Sequence, residues 1–222
     1  MKQRLSIFFN SRPAAYFILP LALSFVVFLS LALLLEPIIS PVSAALSFIG
    51  NDYIKSDSYE DLYEDSNKQT VGTVKASAVT FPRFGDRYGK LYIENTRVEA
   101  DLFFGDDKAI LKRGAGQYIG SMFPGMGGTV LVCAHCTRHF KYLRDAEVGG
   151  TVVVNTNYGE YRYKITWVGI KEITDGSFYD LDRTDENIVL YTCYPFETVG
   201  YKRNRFVVYA DLISGPKILI NE

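Results

Sequence analysis

The first pattern along the chain is a long apolar run near its start. No charged residue occurs between Arg12 and Glu36. A run of this length can cross a hydrocarbon core of about 30 Å as a helix, so residues 13–36 are predicted to form a transmembrane anchor. Because basic residues precede the run, the positive-inside rule places residues 1–12 in the cytoplasm and the chain that follows the run outside the cell.

A cleaved signal peptide is the alternative interpretation of the same segment. The sequence Val-Ser-Ala at positions 42–44 has the small residues of a cleavage site. The apolar run exceeds the roughly 7–15 residues of a signal-peptide core, which favours a retained anchor. Either interpretation exports the rest of the chain.

An acidic segment follows the apolar run. Residues 51–70 carry six Asp and Glu residues among Ser, Asn and Tyr, with neither a helical nor a strand period. We interpret residues 37–71 as an extracellular linker, whose acidic part is a solvated stalk or a loosely docked segment. The folded domain is predicted at residues 72–222.

Short runs of apolar residues, bounded by turn residues, occupy most of the chain beyond residue 72. Val, Ile, Thr and aromatic residues are frequent in these runs, as half-buried strands prefer. Seven such runs are typical strands, and seven or eight strands suggest a closed barrel. The predicted strands are Lys90–Ile93, Val98–Phe104, Thr129–Ala134, Thr151–Thr156, Tyr161–Ile173, Ile188–Cys193 and Phe206–Leu212.

Turns and helices are few and short. Asn157–Gly159 is predicted to join two strands as a tight hairpin. Helical pieces are expected around Gly116–Met122 and Phe140–Asp145. The expected fold class is therefore mostly β.

Composition and charge narrow the possible functions. Of the 222 residues, 48% are hydrophobic and 22% are charged, which fits one globular domain with an additional segment. Lys and Arg number 24 against 25 Asp and Glu, and no long basic run occurs. The basic surface of a nucleic-acid-binding protein is thus missing, and we expect no nucleic-acid partner.

The chain contains three cysteines, Cys133, Cys136 and Cys193. At least one must remain unpaired within the chain, and a dense disulfide framework is excluded. In an exported domain an unpaired cysteine is more often catalytic, or packed away from oxidants, than incidental.

Two reactive side chains lie where predicted strands end. His135 follows one strand, and Cys193 ends another just before Pro195, which cannot donate a ladder hydrogen bond. Strand ends on a rigid sheet can hold a thiol and an imidazole both positioned and exposed, as nucleophilic catalysis requires. These residues alone leave a second possibility open, namely a buried cysteine and a surface histidine.

Three motifs lie around the two strand exits. Leu190–Cys193 is an apolar strand that ends in Thr-Cys, and it resembles the signature of the sortase family. Cys193–Phe196 and Arg205–Ala210 resemble the block after the cysteine in class D sortases, in which an essential arginine opens the next strand. Val130–His135 resembles the strand that delivers the sortase histidine. The resemblance covers roughly residues 81–212.

The chain also departs from the family pattern. Gln117 stands where many relatives carry a histidine, and Leu190 replaces the usual start of the signature. Cys136 follows His135 in place of the commoner Arg or Asn. None of these departures removes a residue that the resemblance implies to be catalytic, but they bear on the subclass.

The resemblance implies a cysteine transpeptidase that works through a thioester. Attack of sulfur on a peptide carbonyl creates an oxyanion, so the site needs a nucleophile, a group that protonates the leaving amine, and a donor to the developing charge. By resemblance these are Cys193, His135 and Arg205. Arginine cannot act as a base in a protein, which leaves hydrogen bonding as its role. Arg203 is a weaker candidate for that role.

The resemblance also implies the fold, the partners and the location. The fold is a closed, mostly antiparallel sortase-like β-barrel of seven to eight strands with short helices, preceded by one N-terminal transmembrane helix. The partners are exported proteins with a C-terminal sorting signal like Leu-Pro-x-Thr-Gly (LPxTG), and a peptidoglycan precursor or other amine acceptor. The catalytic domain is expected outside a cell membrane that the N-terminal helix crosses once. We expect no cofactor and no metal.

Two functions from other classes remain open. Cys133 and Cys136 have the spacing of a redox or metal site, so a membrane-tethered thiol-disulfide enzyme is one alternative. The other is a non-catalytic extracellular β-domain. A papain-like hydrolase is disfavoured because in that family the cysteine precedes the histidine.

Overall fold

The computed structural model describes residues 20, 21, 23–30, 59–64, 70–175, 178–197, 200 and 202–219. The chain divides into two compact units, Met1–Asp57 and Ser58–Glu222. In the first unit the described residues are helical and exposed. Among the described residues no helix has the length and apolar character needed to span a membrane. The rest of the predicted anchor, residues 13–19, 22 and 31–36, lies outside the described residues.

The second unit consists of strands joined by loops and short helices. The α-helix described in it is α1, Lys108–Arg113, and 3-10 turns occupy Ala76–Ala78 and Leu143–Asp145. The described strands are β1 Thr73–Lys75, β2 Arg87–Ile93, β3 Glu99–Phe104, β4 Ala115–Gln117, β5 Thr129–Cys133, β6 Thr151–Thr156, β7 Glu160–Glu172, β8 Asn187–Tyr194, β9 Asn204–Ser214 and β10 Lys217–Leu219.

Eight of the described strands form a closed barrel in the order β2-β3-β4-β5-β8-β9-β7-β6. This confirms the predicted mostly β fold and its closed barrel of seven to eight strands. The predicted hairpin at Asn157–Gly159 connects β6 to β7. In the barrel as described, β3 pairs with β4 and β5 pairs with β8 in parallel, whereas the other pairs are antiparallel. Because β5 and β8 run in the same direction, their C-terminal ends emerge at one edge of the barrel.

The parallel neighbours β5 and β8 are buried on both faces. On the inner face, Val132 and Leu190 belong to the main core. On the outer face, Leu131 and Val189 belong to a second cluster, in which Phe178 packs against them. Burial on both faces explains why the sequences of these two strands are continuous apolar runs and do not alternate between apolar and polar residues.

The predicted helical pieces are only partly correct. The helix predicted at Gly116–Met122 is wrong, because Ala115–Gln117 forms β4 between β3 and β5. The helix of this region is α1, just upstream, whose N-cap Asp107 accepts a hydrogen bond from a backbone N–H of the first turn. The piece predicted at Phe140–Asp145 is helical only in its second half, as the turn Leu143–Asp145.

Part of the predicted linker docks on the barrel. The Leu62 backbone N–H donates to the Arg87 carbonyl at 2.8 Å, and the Arg87 N–H donates to the Glu60 carbonyl at 3.0 Å. The Asp61 carboxylate pairs with the Arg87 guanidinium at 3.0 Å. Residues 59–64 of the acidic segment therefore form a docked strand-like piece beside β2. The parallel pair β1–β10 was likewise not predicted.

Candidate active site

Cys193 and Arg205 face each other across two neighbouring strands. They are directly opposed in the antiparallel register of β8 and β9. Residues opposed in this way have Cβ atoms about 4.5–5.5 Å apart. Both side chains are half-buried, so the thiol and the guanidinium belong to one surface that solvent can reach.

His135 lies two residues beyond β5. The parallel register of β5 and β8, continued by two residues past the end of β5, brings His135 level with Cys193. The Thr192 hydroxyl donates to the Ala134 carbonyl at 2.6 Å. The two chains therefore stay adjacent beyond the last paired residues, and the histidine and cysteine emerge side by side.

The three predicted site residues, His135, Cys193 and Arg205, form a row across β8, β9 and the segment that follows β5. We call it the catalytic row, after the roles that the sequence predicts for its members. The outer cluster on these strands contains Leu131, Val189 and Val207. Cys193 and Arg205 lie an even number of residues from Val189 and Val207 on the same strands, so their side chains leave the sheet on the face that carries this cluster. The structure thus brings together, at the edge of the barrel, all three residues predicted from the sequence.

The guanidinium of Arg205 is held by the loop that precedes β9. Its Nη1 donates to the carbonyl of Lys202 at 2.9 Å and to the carbonyl of Asn204 at 3.0 Å. A guanidinium has five N–H donors, of which Nη1 carries two. Within the described residues, the donors on Nε and Nη2 have no hydrogen-bond partner, so they can bind an oxygen of a ligand.

The surroundings of His135 favour its neutral form. The pKa of His135 is lowered from the usual value of 6.5, first by burial and then by positive charge on His139, Arg138 and Lys112. The ring of His139 lies 3.3 Å from the Lys112 carbonyl, so the segment that carries His135 rests on the last turn of α1. A neutral imidazole can accept a thiol proton and later deliver it to a leaving amine.

The pair Cys133 and Cys136 lies beside the catalytic row but lacks the features of a redox site. Both thiols are buried and neither is in a disulfide. Burial raises the pKa of Cys133 to about 12, so this thiol stays protonated at neutral pH and is a poor nucleophile. Cys136 lies in a turn, whereas a thioredoxin-like motif opens a helix. The arrangement does not favour the thiol-disulfide alternative.

Two groups beside the row were not identified from the sequence. Tyr191, two residues before Cys193 on the same strand face, hydrogen-bonds Cys133 through its side chain. Asp106 follows β3 and is close enough to influence the charge states of Tyr191 and Cys133, and burial raises the pKa of its carboxyl. The position of Asp106 just after a strand could have marked it as a candidate site residue. An acidic residue just before a helix is also common as a helix cap, so this position alone did not distinguish the two roles.

The weaker candidate, Arg203, is not part of the row. It precedes Asn204, the first residue of β9, and its side chain is exposed. Its carbonyl accepts a hydrogen bond from the Ile173 N–H at 2.8 Å. The strand does not extend to Arg203, so strand alternation gives no reason to aim its side chain at the row.

Comparison with known proteins identifies the family. The family model described as a Sortase domain matches residues 91–213, more than half of the chain. The chain belongs to the sortase family. All three members of the catalytic row lie inside the matched region of this sortase.

Individual sortases are similar over the same region. Sortase D of Bacillus subtilis (strain 168) is 29% identical over 147 residues, which cover 66% of this chain and 74% of that protein. Sortase E from Streptomyces avermitilis, 23% identical, has a TM-score of 0.52 over 60% of this chain and 91% of that one. Sortase A from Corynebacterium diphtheriae, 20% identical, has a TM-score of 0.53 over 58% of this chain and 61% of that one. At these identities the structural likeness shows the fold.

Family membership settles the class of function. Sortases are cysteine transpeptidases, and this chain is an enzyme of that kind. The similarity to a Sortase D agrees with the class D resemblance of its motifs. The thiol-disulfide and non-catalytic alternatives are not favoured.

Proposed function

We propose that this sortase cleaves an LPxTG-like sorting signal through a thioester on Cys193 and joins the exported protein to a cell-wall amine. The observation that carries the proposal is the row of His135, Cys193 and Arg205, on β8, β9 and the segment that follows β5, at one end of the barrel. Acyl transfer needs a thiol, a proton-transfer group and an oxyanion donor. Cys193, the neutral imidazole of His135 and the Nε and Nη2 donors of Arg205, which have no partner in the described part of the chain, can supply them.

In the first half-reaction Cys193 attacks the carbonyl carbon of the scissile peptide bond. His135 accepts the thiol proton, and the negative oxygen that forms binds the free donors of Arg205. The carbon–nitrogen bond then breaks, the amine leaves with the proton from His135, and the acyl group remains on sulfur as a thioester.

In the second half-reaction an amine of a peptidoglycan precursor, or another acceptor amine, attacks the thioester carbonyl. The acceptor loses a proton to His135, the carbon–sulfur bond breaks, and the sulfur regains a proton. The product is a new amide between the exported protein and the acceptor. Arg205 binds the second oxyanion as it bound the first, because both arise on the same carbonyl.

The proposal includes a membrane tether. The uncharged run at residues 13–36 supports a single-pass anchor, with residues 1–12 in the cytoplasm and residues 37–71 linking it to an extracellular catalytic domain. Such a tether would place the catalytic row where secreted proteins and cell-wall precursors meet.

Mass spectrometry of the full-length protein incubated with sorting-signal peptides tests the proposal. We expect a covalent acyl adduct on Cys193 that an added amine removes, and its complete loss in Cys193→Ala. Cys133→Ala is the matched control, a neighbouring buried thiol, and should keep the adduct. An adduct that persists in Cys193→Ala, or disappears in a folded Cys133→Ala, would overturn the assignment.

A further inference from the structure

Lys202 contacts both sides of the catalytic row. It lies in the loop between β8 and β9, half-buried, two residues before β9 begins. Its carbonyl accepts the hydrogen bond from Nη1 of Arg205 at 2.9 Å. Its ammonium lies 3.1 Å from the sulfur of Cys136, 66 positions away in sequence and adjacent to His135.

The contact with Cys136 fixes the segment that carries the histidine. The carbonyl of His135 accepts hydrogen bonds from the N–H groups of Arg138, at 3.2 Å, and Phe140, at 3.1 Å, so residues 135–140 form a tight turn. A side chain that holds Cys136 therefore holds the backbone of His135 as well. Cys136 departs from the sortase pattern. The sulfur of this buried residue accepts a hydrogen bond from the Lys202 ammonium.

We propose that Lys202 is a positioning residue, which fixes the distance between His135 and Arg205 by binding Cys136 through its ammonium and Arg205 through its carbonyl. Neither contact involves the reacting atoms. Cys193 stands on β8 between the two; β8 pairs with β9 at Cys193 itself and with β5 as far as Tyr191. The sheet thus positions the nucleophile, and Lys202 positions the proton-transfer group and the oxyanion donor around it.

A second contact between the same two segments provides a control. The Arg144 guanidinium pairs with the Glu197 carboxylate at 3.0 Å, and the guanidinium stacks over the Phe196 ring at 5.1 Å. Both partners of the ion pair are well exposed, and exposed pairs contribute little. Loss of this ion pair should therefore leave the row almost unchanged.

The inference rests on the proposed function and predicts a specific kinetic defect. Lys202→Met keeps the aliphatic stem but removes the ammonium. Small misplacement of catalytic groups can cost up to about 100-fold in rate, so we expect kcat to fall about 10- to 100-fold with KM changed less than about threefold. Lys202→Arg keeps a charged donor and should retain kcat within about threefold. Glu197→Gln, the control in the same loop, should retain kcat within about twofold.

Two measurements separate positioning from general damage. Alkylation of Cys193 by iodoacetamide needs the thiolate, and hence His135, but it needs no oxyanion donor. Its rate should therefore fall less in Lys202→Met than the rate of thioester formation. Cys136→Ala should show the same loss as Lys202→Met, and the double variant should be no worse than either single variant, because both remove one contact.

Three results would overturn the inference: normal thioester formation in Lys202→Met, equal loss of alkylation and acylation in that variant, or multiplied losses in the double variant. A wild-type protein that forms no thioester would instead refute the proposed function. Melting temperatures recorded for every variant identify those that fail to fold. If Lys202→Met does not fold, the comparison of Cys136→Ala with Lys202→Arg tests the same contact.

Discussion

Replacement of Arg205 by lysine tests the role of its guanidinium in the row. In the structure Nη1 donates to the carbonyls of Lys202 and Asn204, while Nε and Nη2 have no hydrogen-bond partner among the described residues. Lysine has three donors on one nitrogen. If that nitrogen donates to the two carbonyls, these two hydrogen bonds fix the direction of its third N–H. That donor then cannot also be oriented toward an oxyanion.

The expected loss can be stated as a magnitude. Removal of one oxyanion donor typically lowers kcat by about 10²–10³, or roughly 2.7–4 kcal/mol. Stability should change much less, because a half-buried hydrogen bond contributes about 0.5–1.5 kcal/mol and lysine can replace at least one of the two. For a domain of this size that corresponds to a fall in melting temperature of about 1–6 °C.

Steady-state cleavage of a fluorescence-quenched sorting-signal peptide gives kcat and KM for the Arg205→Lys variant. Arg203→Lys is the matched control, because it makes the same chemical change at an exposed position outside β9. We expect the loss in kcat for Arg205→Lys alone. Wild-type turnover in Arg205→Lys would remove the guanidinium from the mechanism, and a large loss confined to Arg203→Lys would show that the other arginine has the role.

Three further predictions concern the histidine, the strand pairing and the anchor. The pKa of His135, followed by NMR in a chain with only two histidines, should lie below 6.5 and should rise in Lys112→Met. The value of kcat/KM should fall as the pH drops through this pKa, because the neutral imidazole is lost. A pKa above 6.5 would contradict the environment that the structure gives His135. Thr192→Val removes the hydrogen bond to the buried Ala134 carbonyl and should lower the free energy of unfolding by about 1–3 kcal/mol. Denaturant titration measures this change, and an unchanged midpoint would show that the bond does not contribute to stability. The full-length protein should sediment with membranes, and protease outside protoplasts should remove the barrel, whereas a soluble protein that starts near Ala45 would indicate cleavage.

Much of the barrel could be predicted because its signals are local. Runs such as Thr129–Cys133 and Asn187–Tyr194 are apolar, rich in β-branched residues and bounded by turns, so each indicates a strand regardless of its neighbours. The short strand Ala115–Gln117 was mistaken for helix because three residues with two small side chains carry no period. Residues 59–64 were predicted to be linker because they dock on the barrel through backbone hydrogen bonds, which leave no pattern in the sequence.

The thiol and the imidazole at strand exits are visible in the order of residues and made Cys193 and His135 candidates. The resemblance to sortase motifs was needed to prefer them and to add Arg205. The folded chain was needed to show that they form one row. Ala134 and Thr192, 58 positions apart, are neighbours only because β5 and β8 pair in parallel, and Lys202 reaches Cys136 only through the path of a loop. Strand order and loop path depend on contacts between distant segments, and neither the period of a strand nor the composition of a turn encodes which distant segment will be met.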